Sequence, residues 1–420
     1  MDIIENNHNQ ESKKLIAEKI LARQPILDKH QRTVGYELLF RSSQNKNMFD
    51  PSIDGEIATL TVINSLISVG LHNVVGSNKA FINFSTELLL DQYYKLLPKE
   101  VIIIEILENI QISDKLVKVC KDAKLEGFTI ALDDFFFKER IEELIKLTDI
   151  IKIDFMETST EDIKKYAKDF KSKGKLLLAE KIETMAEFYD ALNMGFDYFQ
   201  GFFFSRPQIV SGHDIPAYKI RLVKLMKEIQ MGADIEKMSD IISQDIALSW
   251  KLLKFINSAF FGFRSPISTV KRAAYMLGEN ELRRWINLII ISEIGIDSPL
   301  ELIVQSTVRA KFAEYIGKDL GGEELALKAF TVGMFSLIDI ILQKPMQEIL
   351  EQIPLDEEIK KGILTEDTLL GNIMQIIINR EILNFNEVRK LLNKINYSFH
   401  ALQEAYINAL IWSNKFLSSI

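Results

Sequence analysis

The stretch Val101–Asp133, VIIIEILENIQISDKLVKVCKDAKLEGFTIALD, carries the pattern that decides the fold. Two short β-branched runs, VIIIEIL and FTIALD, enclose a segment, ISDKLVKVCKDAKLEG, whose apolar residues recur at helical spacing. Strands that are apolar throughout and separated by amphipathic helix belong to a parallel sheet covered on both faces. The pattern extends outward through AFINF (80–84), IIKID (150–154), KLLLAE (175–180) and FDYFQG (196–201), with TEDIKKYAKDFKSKG (160–174) as a further helical link. Each run places an ionisable or amide residue at or near its C-terminal end: Asn83, Glu105, Asp133 with Asp134, Asp154 after Lys152, Glu180, and Gln200. In a (β/α)8 barrel those ends converge on one mouth, whereas an open doubly wound sheet spreads them away from its crevice. A TIM-like α/β barrel with a polar mouth is therefore expected from about Ile20 to Pro207.

Beyond Pro207 the period changes. QIVSGHDIPAYK reads as a linker, and Ile220–Ile420 is nearly all amphipathic helix, with breaks at FGFRSP, LGEN and GKDLGGEE. The expected layout is a lead-in at 1–18, the barrel at 19–208, a linker at 209–219 and an all-α domain at 220–420. The 420 residues, 47% hydrophobic and 26% charged, suit two folded domains with full cores. A formal charge of −8, with 51 Lys and Arg and 59 Asp and Glu scattered along the chain, provides no basic stripe, so nucleic acid is not an expected partner. One cysteine, Cys120, and the polar N-terminus MDIIENNHNQESKK point to the cytoplasm. Apolar stretches such as INLIII and TVGMFSLIDIIL are interrupted well short of the roughly 18 residues a bilayer span needs, so no membrane span is expected.

Several carboxylates meeting in one place repel each other. The set Glu37, Glu105, Asp133, Asp134, Asp154 and Glu180 is costly unless cations sit among it, and hard oxygen donors suit Mg²⁺ or Mn²⁺. Two such ions about 4 Å apart clamp the attacking and leaving oxygens of a phosphodiester. Any one of these acids taken alone reads as a helix cap or a solvated loop residue; their shared placement on successive strands favours a two-metal phosphodiester site.

The motifs then become specific. YELLFR (36–41) resembles the EALxR signature with Leu38 in place of Ala. FINFS, EILE, ALDDF, IKID, AEKIET and QGFFFSRP follow in the order of the EAL family of cyclic-di-GMP phosphodiesterases. The resemblance implies that Glu37, Asn83, Glu105 and Asp133 hold one metal, with Asp133 and Asp134 serving the second. It further implies that Lys152 positions the water, Glu180 is the general base and Gln200 supports the site. Arg41 and Arg206 would face the cyclic-di-GMP, and Glu108, Asp154 and Glu183 would support the loops. A guanidinium holds phosphate oxygens bidentately, which suits Arg41 on physical grounds as well.

The chain departs from that family after the Asp pair. Phe135, Phe136, Phe137 and Lys138 stand where EAL enzymes carry a Gly-Thr-Gly loop, and without glycine the backbone does not take the same φ > 0 turns. The Phe triplet reads as plug, dimer contact or core. Lys181 replaces a glycine beside Glu180, where its charge would act on the base.

The stretch ISQDIALSWKLLKFINSAFFGFRSPISTVKRAAYMLGENELRRWI resembles the HDOD hallmark, and the order barrel then helices matches EAL–HDOD fusions in bacterial signalling. His213, in the linker, and His400 cannot supply an HD-type metal set, so the helical domain reads as a regulatory module with a protein partner. Trp250, Trp285 and Trp412 sit in amphipathic helices and are expected in the core. Two functions stay open: a cyclic-di-GMP phosphodiesterase, or an inactive EAL–HDOD effector or scaffold. The resemblance also implies a homodimer.

Overall fold

A link of only four residues joins the first two strands, β1 (Lys19–Asp28) and β2 (Thr33–Ser42), and a link that short can only return the chain antiparallel. The Asp28 carboxylate accepts from the backbone N–H of His30 and Arg32 and from the Arg32 guanidinium, and Gln31 takes φ 57°, which closes the turn. Strands β3 (Lys79–Phe84), β4 (Ile102–Ile106), β5 (Thr129–Leu132), β6 (Ile150–Asp154), β7 (Leu176–Glu180) and β8 (Tyr198–Gln200) follow. In the computed structural model all eight close into a barrel in chain order. β2 to β8 run parallel, and β1 lies antiparallel to both its neighbours. The expected barrel is present, with one reversal that the all-parallel reading did not contain.

The structure describes residues 19–42, 63, 70–107, 110–133, 140–205, 219, 222, 225–226, 228–229, 233–258, 261, 265–353 and 355–419. The chain divides into two compact units, Met1–Arg206 and Pro207–Ile420.

In the first unit β4 is buried at all five positions, as its unbroken isoleucine run requires. The three longest outer helices described start on side-chain caps. Ser113 accepts from Leu116 N–H ahead of Asp114–Glu126, Ser159 from Asp162 N–H ahead of Thr160–Ser172, and Thr184 with Glu187 forms a capping box at Met185–Asn193. Inside the barrel, Ile26, Phe81, Ile103, Ala131, Ile150 and Leu178 form one apolar layer, with Val34 and Tyr198 packed against it. Gly35 makes room for that layer, because a Cβ there would lie 2.8 Å from Phe81 Cε2 and 3.1 Å from the Lys79 carbonyl. Gly35→Ala is expected to leave the barrel folded but to lower its stability by roughly 1–3 kcal/mol through overpacking. A urea midpoint equal to that of the parent would show that Phe81 yields freely.

The second unit is helical: Ile235–Gln244, Ile246–Ile256, Val270–Leu277, Glu279–Ile294, Leu300–Phe335, Ile338–Leu342, Met346–Gln352, Glu357–Ile363, Leu369–Glu381, Phe385–Lys394 and Phe399–Ser419. The expected break at GKDLGGEE falls at Gly321 and Gly322, which leave helical φ/ψ inside Leu300–Phe335. The stretch Leu300–Leu342 is long and apolar enough to cross a membrane by length and composition, and 67% of its most apolar window is buried. Read one run at a time, TVGMFSLIDIIL looked too short for that test; the helix that precedes it supplies the length.

Trp285 is buried as expected, but Trp250 is 59% exposed, which corrects its assignment to the core. Leu248, Leu252, Phe255 and Ile256 form the buried stripe of their helix. Residue 250 lies midway between 248 and 252, on the opposite face. The Lys254 ammonium covers the Trp250 ring at 5.2 Å. Trp412 is half-buried, and His400 is exposed beside Glu404.

Candidate active site

Side chains on a strand alternate faces, so the residue two positions beyond an inward one also points inward. Two positions beyond Phe81, Ile103, Ala131, Ile150, Leu178 and Tyr198 stand Asn83, Glu105, Asp133, Lys152, Glu180 and Gln200. On β1, which runs the other way, the matching residue comes two before Ile26 and is Gln24. Gln24 pairs in register with Glu37 of β2. A polar layer thus rests directly on the apolar one at the C-terminal mouth of the barrel.

Lys152 stands at the centre of this layer, 1% exposed. Its ammonium lies 2.7 Å from Glu180 Oε1, 3.4 Å from Asp133 Oδ1 and 3.8 Å from Glu37 Oε2, and it donates to Glu105 Oε1. Burial pulls the Lys152 pKa down, while the Glu180 and Glu37 carboxylates push it up and prevail, leaving it above the ordinary lysine value. The stability contributed by this charge is therefore fully present at neutral pH and is lost only as pH rises through the raised value.

Glu37 is held from the sides. Asn83 Nδ2 donates to its Oε1 at 3.1 Å, and Gln200 Nε2 donates to its Oε2 at 2.7 Å and to Gln24 Oε1 at 2.9 Å. Gln24 was missing from the predicted set. It belongs to no run with a polar C-terminal end, and only the reversal of β1 brings it to the mouth.

Asp154 stands apart from the lysine. Its Oδ1 accepts from Met156 N–H at 2.6 Å and Glu157 N–H at 3.0 Å, and its Oδ2 pairs with the Lys181 ammonium. Lys181, expected to act on Glu180, instead reaches Asp154 and, at 3.6 Å, Glu157. Its backbone takes φ 56°, a left-handed conformation that glycine adopts at no steric cost and lysine at roughly 1–2 kcal/mol. That geometry explains why the EAL pattern has glycine there, and the ion pair with buried Asp154 offsets the strain in this chain. Glu183 begins the turn to Met185–Asn193, its N–H donating to Glu187. Glu108, Asp134, Phe135 to Phe137 and Arg206 lie outside the described residues, as does the side chain of Arg41 on β2.

Metal-ligand character can be tested on these side chains. One carboxylate oxygen each from Glu37, Glu105 and Glu180 falls within 4.8 Å of the others. Glu105 is fully buried, and its Oε2 has no hydrogen-bond donor among the described residues. Four carboxylates face one ammonium, an excess of negative charge made of hard oxygen donors, which fits Mg²⁺ or Mn²⁺.

The EAL family model matches residues 17–207, which include this closed barrel and its acidic mouth, and the HDOD family model matches 215–373. The uncharacterized protein YuxH of Bacillus subtilis is 31% identical over 95% of this chain and 99% of its own length. The cyclic di-GMP phosphodiesterase CdgJ of Vibrio cholerae is 31% identical over 94% of this chain and 92% of its own. The chain belongs to the family of proteins that join an EAL domain to an HDOD domain. Among solved structures, the EAL domain of Mycobacterium smegmatis DcpA is 20% identical, covers 44% of this chain and 90% of its own, and aligns with a TM-score of 0.36.

Proposed function

We propose that the barrel binds cyclic-di-GMP and hydrolyses one of its phosphodiester bonds to give the linear dinucleotide. The observation that carries this reading is the ring of Glu37, Glu105, Asp133 and Glu180 around the buried Lys152 ammonium. The name of CdgJ supports it. In this proposal Glu37, Asn83, Glu105 and Asp133 hold one Mg²⁺ or Mn²⁺, and Asp133 with Asp134 holds a second. Bound ions would draw charge from the phosphate oxygens and lower the pKa of water.

The protein's own groups do the rest. Lys152 donates to Glu180 Oε1 and so fixes the carboxylate, leaving Oε2, which has no hydrogen bond among the described residues, to take the proton of the attacking water. The water oxygen bonds to phosphorus, one P–O ester bond breaks, and the departing sugar oxygen ends as a hydroxyl. Gln24 and Gln200 hold Glu37 in place. Arg41 and Arg206 take the phosphates, and Glu108, Asp154 and Glu183 support the rim loops. We assign the lead-in to 1–18, the EAL domain to 19–208, the linker to 209–219 and the HDOD domain to 220–420, the last a regulatory module that engages a protein partner. The chain works as a cytoplasmic signalling protein and pairs as a homodimer.

Phe135, Phe136 and Phe137, in place of a glycine-containing loop, favour a second reading in which the barrel binds the dinucleotide without turnover. Incubating the purified chain with cyclic-di-GMP and Mg²⁺ or Mn²⁺, beside Glu37→Ala, distinguishes the two. Linear dinucleotide formed by the parent and lost in the variant is the expected result. Saturable binding with no product establishes the effector, and neither binding nor product removes cyclic-di-GMP from the account.

A further inference from the structure

The helical unit has a half-open cavity that the barrel chemistry does not involve. It measures about 570 Å³ and is lined by Asn408, Trp412 and Lys415 of helix Phe399–Ser419, by Tyr315 of Leu300–Phe335, and by Ser258. That size lies within the range of ligand pockets.

Its lining combines hydroxyls, an amide and an ammonium with aromatic surface, and the carboxylates of Glu314 and Glu281 act on the Tyr315 hydroxyl from outside it. The Tyr315 hydroxyl, the Asn408 amide, the Trp412 indole N–H and the Lys415 ammonium find no acceptor or carboxylate partner among the described residues. Lys415 is exposed. A second cation stands behind the aromatic wall. The buried Lys311 ammonium lies 4.9 Å from the Trp412 ring centre and 5.1 Å from that of Tyr315, and the carboxylate it pairs with, Glu314, is shared with Arg284. The Trp412 indole is fixed by a parallel stack on Phe416, 5.1 Å between ring centres at 8°. Three neutral donors and the Lys415 ammonium are left to take oxygen acceptors, while Trp412, Tyr315 and Ile411 supply flat and apolar surface.

We infer that this cavity binds a small organic anion bearing a ring, of the size of a nucleoside monophosphate, and that the helical unit is thereby a ligand sensor. Lys415 and Asn408 take the anionic group, and the tyrosine and tryptophan walls take the ring.

Isothermal titration of the full chain with AMP, GMP, CMP and UMP tests this, with adenosine and inorganic phosphate as separate arms. At least one nucleotide is expected to saturate. Lys415→Ala should weaken it about tenfold, the loss of one charge-assisted contact, while Lys415→Arg keeps most of it. Because Lys415 is exposed, the variant folds as the parent does, which circular dichroism checks. Absence of saturation by all four up to about 10 mM overturns the inference, as does affinity unaffected by Lys415→Ala. Adenosine alone binding as tightly overturns the anionic part, and phosphate alone binding as tightly overturns the ring part.

Discussion

Replacing Lys152 by methionine is expected to cost the metal-free protein about 3–5 kcal/mol, the range seen when one partner of a buried ion pair is removed. The side chain is almost fully enclosed, and its ammonium is the charge that lets Glu37, Glu105, Asp133 and Glu180 share one layer. Methionine fills similar volume, so the loss reports charge and not a cavity. Urea unfolding in EDTA and in millimolar Mg²⁺ reads both effects. The variant should unfold earlier in EDTA and recover much of the difference with Mg²⁺, because the remaining carboxylates then have a cation to share. A midpoint equal to the parent's in EDTA would mean that the layer is not held by this lysine.

Glu180→Gln should have the largest effect on chemistry. The amide keeps the shape of the side chain and an oxygen for Lys152, but it has no basic oxygen for a proton, so turnover of cyclic-di-GMP should fall by roughly 10²- to 10⁴-fold while binding changes little. The measurement is single-turnover product formation beside equilibrium binding. Undiminished turnover would move the base elsewhere in the mouth, and a parallel loss of binding would make Glu180 a ligand-holding residue.

Much of this architecture was legible because strands are local objects. The apolar runs ending at Asn83, Glu105, Asp133, Lys152–Asp154, Glu180 and Gln200 show both the barrel and its polar end, since a period of two ties each acid to the apolar residue beneath it. Gln24 was not legible that way. Its place depends on the direction of β1, and the signal that could have found it was the DKHQR turn, whose aspartate and short length impose an antiparallel return. The bonding of Lys181 to Asp154, and not to Glu180, depends on a left-handed backbone that no side-chain pattern announces. In the helices, composition marked Trp250 as a core residue, but which stripe is covered is decided by neighbouring helices, and the Leu248–Leu252 stripe prevailed.

The apolar layer of Ile26, Phe81, Ile103, Ala131, Ile150 and Leu178 makes the mouth a blind alley. Among the described residues no passage runs through the barrel, so whatever reaches Lys152 enters and departs across the same rim, and one molecule seated on that rim would halt arrival and exit together.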